Sequence, residues 1–275
     1  MSDYTLLVTD IDGTLLDRQG QLPFLNVAAL RHWVDRGKTL ALATGRNLTI
    51  TRPIAEAIGR DLYLILQDGG LVMRYPKRQV LQYHNLQPQT AQATRRIVAQ
   101  ASLPALVFDP LPHGTKFTLQ QTGPLSPGLA AYLSFKTGQY RRTDTTGAPF
   151  ETASKIVAID CRANVEALLP RLKTRLPQAR VIQTEAVRLN AWFLEVGPPS
   201  ASKAQGMAAL LRHLNRRPAE VIALGDAEND IEMLQAAGLG VAMANASERV
   251  RAAAGRVIAS NDEPALAHFL NRLLV

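Results

Sequence analysis

Cysteine is almost absent from this chain. Of its 275 residues only Cys161 is a cysteine, so no disulfide and no multi-thiolate metal site can form within it. That suits a reducing compartment. No apolar run approaches the roughly 20 residues that a membrane-crossing helix needs. The opening MSDYTLL has no basic stretch followed by a long apolar run, so no secretory leader is expected and a cytoplasmic location is. Neither G-x-G-x-x-G nor G-x-x-x-x-G-K-[ST] occurs, which argues against a nucleotide-binding oxidoreductase and a P-loop NTPase. Short internal repeats and low-complexity tracts are missing too. The basic pairs Arg95-Arg96, Arg141-Arg142 and Arg216-Arg217 are scattered, with no aromatic residues interleaved. The formal charge of +8 is therefore read as solvated surface charge, or as steering of small anions, and no nucleic-acid partner is expected.

What is present describes an ordinary globular chain, 47% hydrophobic and 20% charged, long enough for one large domain or two smaller ones. Thr5 to Thr9 is apolar and β-branched and reads as a buried strand. Pro23 opens a helical pattern that Gly37 ends. Thr39 to Ala43 reads as a second strand, a helix follows from Asn47 to about Ile58, and Leu62 to Leu66 reads as a third strand. This alternation predicts a parallel α/β sheet. Leu71 to Tyr75 and Val80 to Tyr83 read as a hairpin.

From about His84 to Ala186 the chain is richer in Thr, Gln, Pro and Arg, and mixes helical and strand patterns. Tyr140 to Phe150 is polar and loop-like. An inserted α+β domain over residues 84–186 is expected, with residues 1–83 and 187–275 forming one sheet. In the second outer segment Trp192 to Val196 reads as a strand that resumes that sheet. A helix is expected from Ser202-Lys203 to Leu214, strands over Val221 to Leu224 and Leu239 to Ala242, and helices over Ile231 to Ala236 and Pro264 to Leu274.

The first strand runs into Asp10 and Asp12. Alternation along an extended segment would turn both carboxylates to one side, with Gly13 letting the backbone bend sharply. Paired acids make sense beside a cation, or where one acid is ionised and the other carries a proton. A calcium loop does not fit, because Gly13 is fourth and Gln21 twelfth counting from Asp10, where that loop wants glycine sixth and glutamate twelfth. A pair of turn-forming acids remains the bland alternative. In GDAENDIEML, Asp226, Asn229 and Asp230 would share one side of a first helical turn; Asp226 reads either as a helix cap or, with Asp230, as a hard oxygen ligand suited to magnesium. Thr44 and Gly45 lie between a strand and a helix, where a hydroxyl and backbone N–H groups either hold a phosphate or cap the helix. Lys203, among small residues near a helix start, is either solvated or a point charge for phosphate. All these groups fall at strand ends, and open parallel sheets bind ligands outside the carboxyl ends of their strands. Together they describe phosphoryl transfer, with Asp10 attacking phosphorus and Asp12 as general acid and base.

At this point the sequence resembles the haloacid dehalogenase superfamily of phosphatases, and more narrowly its Cof-type subgroup with an α/β (type IIB) cap. The motifs are DIDGTLL at Asp10, ATGR at Ala43, SKAQG at Ser202 and GDAENDIEML at Gly225. The resemblance implies a parallel Rossmann-like core sheet with an inserted cap that closes over the site and selects the substrate. It implies that Asp10 is the nucleophile and Asp12 the acid and base. It implies Mg²⁺ held by Asp10, Asp226 and the backbone carbonyl of Asp12, with Asp230 supporting, and phosphate held by Thr44, Gly45 and Lys203 with Asn229 nearby. Two positions depart from the pattern. Asp68-Gly69-Gly70 stands where many relatives have Asn-Gly-Ala, and an acid near the ligand would repel substrate or bind a hydroxyl. Ala244 stands where relatives often have glycine.

The expected activity is Mg²⁺-dependent hydrolysis of a small phosphomonoester, such as a sugar phosphate, through a phosphoaspartate. A phosphotransferase or phosphomutase on sugar phosphates is the neighbouring alternative, and a non-catalytic regulator that binds a phosphometabolite is the alternative of another class. The nucleophile Asp10 argues against a pure binder.

Overall fold

The computed structural model describes residues 4–143 and 152–273. The first outer segment runs β1 (Leu6–Thr9), α1 (Phe24–Asp35), β2 (Thr39–Ala43), α2 (Leu48–Ile58), β3 (Leu62–Leu66), β4 (Leu71–Tyr75) and β5 (Gln79–Tyr83). The middle runs α3 (Pro88–Gln100), β6 (Ala105–Phe108), β7 (Phe117–Gln120), α4 (Pro127–Ser134), β8 (Tyr140–Thr143), β9 (Ile156–Asp160), α5 (Arg162–Arg175), β10 (Arg180–Ala186) and β11 (Ala191–Gly197). The last segment runs α6 (Lys203–Leu214), β12 (Val221–Gly225), α7 (Ile231–Ala236), β13 (Leu239–Met243), α8 (Glu248–Ala253), β14 (Arg256–Ile258) and α9 (Ala265–Leu273). Two compact units result, one from the chain up to Tyr83 and again from Ser202, the other from His84 to Ala201.

The outer unit holds an eight-stranded sheet in the order β14-β13-β12-β1-β2-β3-β4-β5. From β14 through β3 every neighbouring pair is parallel; β4 and β5 add an antiparallel hairpin at one edge. The central strands β1 and β12 are short apolar runs because both of their faces are covered by helices. Leu6, Leu7 and Val8, with Val221, Ile222 and Ala223, are wholly buried. Burying one such large apolar side chain contributes about 1.5–3 kcal/mol. On α1, Trp33 packs inward and its indole Nε1 donates to the carbonyl of Thr39 at 2.8 Å, so the ring's single polar atom is satisfied.

The middle unit holds a six-stranded sheet in the order β10-β11-β9-β6-β7-β8, antiparallel except for β7 beside β8. Alternation fixes which side chain faces where. Ala105, Val107, Ile156 and Ala158 face one core with Val98 of α3 and Leu168 of α5. Leu106, Val157 and Ile159 face the other with Leu129 and Leu133 of α4.

Two sequence expectations change. Residues 187–201, assigned above to the outer sheet, carry β11, which pairs antiparallel with β10 and β9 in the middle sheet. The β10–β11 turn contains neither Gly nor Pro; Asn190, at φ 45°, supplies its left-handed residue, and asparagine tolerates that region. The loop expected over Tyr140 to Phe150 begins as strand β8; the rest of that stretch lies outside the described residues.

Candidate active site

The outer unit brings Asp10, Lys203 and Asp230 into direct contact. Asp10 follows β1, and its backbone N–H extends the ladder by donating to Leu224 at 2.9 Å. Its carboxylate is buried and accepts a hydrogen bond from Lys203 Nζ at 2.7 Å. Ser202 caps α6 by accepting from the N–H of Gln205 at 3.2 Å, which makes Lys203 the first residue of that helix. The same ammonium donates to Asp230 Oδ1 at 2.7 Å. Burial opposes the charge on Lys203, but Asp10, Asp230 and Asp68 together outweigh it and hold its pKa above the ordinary lysine value. Burial raises the Asp10 pKa well above the usual carboxylate range; Lys203 counters this, while Asp230 and Asp226 reinforce it.

Asp226 comes next. Burial pushes its pKa up to about 6, a hydrogen bond from Thr14 pulls it back, and Asp230 adds to the rise. Thr14 Oγ1 donates to Asp226 Oδ1 at 2.8 Å, and Asn245 Nδ2 lies 3.3 Å from Oδ2. Gly13 makes the close approach possible: its φ is +76°, and a Cβ there would lie 2.1 Å from Asp226 Oδ2. Asp230 is fully buried, and its Oδ2 accepts from the N–H groups of Asp226 at 3.1 Å and Ala227 at 3.0 Å. The acid that closes this turn is therefore Asp230, whereas the sequence reading offered Asp226 as the cap. The expected helical turn is a 3₁₀ turn over Glu228–Asp230, which sends the three side chains of Asp226, Asn229 and Asp230 to different partners.

Asp12 behaves otherwise than strand alternation predicts. The strand ends at Thr9, and the backbone then turns, with the N–H groups of Leu15 and Leu16 both donating to Ile11. The Asp12 side chain is 61% exposed and meets the Arg46 guanidinium, Nε to Oδ2 at 2.8 Å and Nη2 to Oδ1 at 2.5 Å. Arg46 was present in the ATGR motif but carried no assigned role; its distance in sequence from Asp12 hid the pairing. Thr14 and Asn245 were likewise missed, the latter in the VAMANA stretch, where Asn245 also donates to the carbonyl of Gly13 at 2.9 Å.

Thr44 is buried at the end of β2, where its N–H donates to Ile65 at 2.8 Å. Its hydroxyl accepts from the N–H of Arg46 at 3.1 Å, and the cap of α2 is Asn47. Capping therefore does not account for Thr44. Asp68 reaches the same corner, accepting from Asn229 Nδ2 at 2.8 Å.

One oxygen from each of Asp10, Asp226 and Asp230 lies within 4.8 Å of the others. Three hard oxygen donors, two of them in carboxyl groups whose pKa is raised by burial, fit a small divalent cation that would offset the clustered negative charge. Asp230 accepts three hydrogen bonds, against one for Asp10 and two for Asp226, which makes the latter two the freer ligands. Asp12 offers no side-chain oxygen to this cluster. A carboxylate beside an ammonium, at a site able to hold a cation, is equipped to attack an electrophilic, anionic centre.

Residues 7–270 match the family described as haloacid dehalogenase-like hydrolase. An HMP-PP phosphatase of Cronobacter sakazakii is 32% identical over 96% of this chain and 94% of its own length. An Arabidopsis thaliana protein named endoribonuclease YBEY, chloroplastic, is 29% identical over 98% of this chain, which spans only 46% of that protein. Among solved structures, a haloacid dehalogenase-like hydrolase from Bacteroides thetaiotaomicron superposes with a TM-score of 0.83 at 25% identity, covering 98% of this chain and 99% of its own.

Proposed function

The chain belongs to the haloacid dehalogenase-like hydrolase family, and on that footing we propose that it is a Mg²⁺-dependent phosphatase of small phosphorylated metabolites, working through a phosphoaspartate on Asp10. The observation that carries the reading is the 2.7 Å contact between Lys203 Nζ and Asp10 Oδ1. The ammonium counters the effect of burial on the Asp10 carboxylate and so favours its charged form, and it lets that carboxylate approach a negative substrate.

Asp10 attacks phosphorus through one carboxylate oxygen. The new O–P bond forms as the bond to the leaving oxygen breaks, and that oxygen takes a proton from Asp12. Water then adds to phosphorus and gives a proton to Asp12, releasing inorganic phosphate and the free Asp10 carboxylate. Thr44, Gly45 and Lys203 bind the phosphoryl oxygens through hydroxyl, backbone N–H and ammonium, with Asn229 beside them. Mg²⁺, held by Asp10, Asp226 and the Asp12 carbonyl with Asp230 supporting, supplies charge neutralisation at the transferring group. Uncatalysed hydrolysis of phosphate monoesters is among the slowest reactions enzymes accelerate, by up to ~10²¹, so such a concentration of charge has a purpose here.

Sugar phosphates are the first substrate class, and the name of the Cronobacter relative adds HMP-PP to the panel. The test is phosphate release from that panel with Mg²⁺ and with EDTA. Mg²⁺-dependent release supports the reading, and the best substrate names the class. Folded protein that binds phosphate esters yet releases nothing supports the non-catalytic regulator instead.

A further inference from the structure

An acid stands where the phosphate-binding groups of the proposed mechanism meet. After β3 the chain takes left-handed backbone at three successive residues, Gln67, Asp68 and Gly69, with φ of 49°, 53° and 90°. Two of these are not glycine, and such conformations persist only where the surroundings enforce them. The enforcement is visible on both sides. The N–H groups of Gln67 and Asp68 donate to the carbonyls of Arg46 and Thr44, each at 3.0 Å. Beneath, Gly69 lies so close to the start of α6 that a Cβ on it would stand 2.1 Å from the carbonyl oxygen of Ser202.

This turn aims the Asp68 carboxylate at one place. Oδ1 accepts from Asn229 Nδ2 at 2.8 Å. Oδ2 is so near the Thr44-Gly45 loop that a Cβ on Gly45 would come within 3.0 Å of it. Its field also reaches Lys203, whose charge it helps to hold along with Asp10 and Asp230. One ammonium thus pairs with two carboxylates and feels the field of a third, at the spot where the proposed mechanism settles a phosphate dianion. Asp68 holds one N–H of the Asn229 amide, leaving the other for a ligand, and repels that dianion through space, an interaction that falls off slowly in a partly buried site.

We infer that Asp68 sets the anion affinity of this site: it fixes the Asn229 amide in place and keeps the binding of phosphate weak, so that inorganic phosphate leaves after turnover. The inference rests on the phosphatase reading and extends it. The repulsion acts alike on the ester and on free phosphate, so it weakens ground-state binding of both without touching the bonds that change. A residue of this kind raises KM and the inhibition constant of phosphate together.

The experiment is calorimetric titration of inorganic phosphate into the Mg²⁺-loaded protein, with Asp68→Asn and Asp68→Ala beside the unsubstituted chain. Asp68→Asn removes the charge and keeps an acceptor for Asn229; Asp68→Ala removes both. The expected result is a dissociation constant for phosphate at least tenfold lower in Asp68→Asn, with KM for the best phosphomonoester falling in parallel. Asp68→Ala, with Asn229 released, binds phosphate less tightly than Asp68→Asn. A phosphate affinity in Asp68→Asn within threefold of the unsubstituted value, or weaker, overturns the inference. Turnover by the unsubstituted chain separates the two ideas. Turnover with unchanged phosphate affinity leaves the phosphatase reading standing without this role for Asp68. Tightened phosphate binding in a chain that hydrolyses nothing keeps the role of Asp68 and removes the phosphatase reading.

Discussion

Arg46 grips Asp12 with both ends of its guanidinium fork, at 2.8 and 2.5 Å, although the two residues stand on different loops of the outer unit. A bidentate pair fixes a carboxylate in direction as well as in place. Arg46 therefore acts as a positioning residue for the proposed acid and base. Arg46→Lys retains a charge but loses the fork. We expect kcat to fall about tenfold in Arg46→Lys and about 100-fold in Arg46→Ala, part of the 10²–10⁴ that positioned proton transfer contributes, with KM little changed in both. Unchanged kcat in Arg46→Ala would remove the role.

Gly13 has a purely steric part. A methyl group there would sit 2.1 Å from Asp226 Oδ2, on a backbone at φ +76°. Gly13→Ala is expected to push Asp226 out of the carboxylate cluster and to weaken Mg²⁺ binding at least tenfold by calorimetry. The strained backbone adds a stability loss of about 1–3 kcal/mol. Full Mg²⁺ affinity in the variant would show that Asp226 is not a ligand.

Lys203 is the cation that Asp10 and Asp230 share. Lys203→Met leaves two buried carboxylates without it, and breaking a buried pair from one side costs roughly 3–5 kcal/mol. Urea unfolding followed through Trp33, in a Trp192→Phe background so that the signal comes from the outer unit, measures the loss. A loss under ~1 kcal/mol would mean that the cluster is far better solvated than its burial implies.

Metal removal should interact with pH. Burial raises the pKa of Asp226 to about 6 and that of Asp10 well above the usual range. The folded metal-free protein therefore holds these protons more tightly than the unfolded chain does. These two groups then contribute stability at low pH, and the contribution fades as pH rises through about 6 for Asp226. A cation replaces the protons, so the gain in melting temperature on adding Mg²⁺ is expected to be larger at pH 8 than at pH 5. An equal gain at both values would contradict the raised pKa values.

The core sheet was legible because β1, β2, β3 and β12 are short apolar runs separated by helical patterns, the alternation of a parallel α/β sheet. The residues at their ends were legible for the same reason, since each sits directly after such a run. The partners were not. Arg46 and Asp12 are brought together by two loops, and periodicity carries no information about which loops meet. Asp12 itself was placed by alternation, and that argument failed once the strand ended at Thr9. The strand β11 was assigned to the wrong sheet because its apolar residues suit either one, and only pairing with β10 and β9 decides. Asp68 was noticed as a departure, and Asp-Gly-Gly signals a turn, but nothing local says that the turn meets Asn229, 161 residues further on.

The central claim is that Asp10 becomes phosphorylated. The most direct measurement is acid quenching of the protein during turnover of a phosphorus-32-labelled phosphomonoester, followed by peptide mapping. The account predicts base-labile label on the peptide that contains Asp10, and neither label nor turnover in Asp10→Asn, whose kcat falls by ~10⁴ or more. Turnover that persists in Asp10→Asn, or label on a different residue, would contradict it.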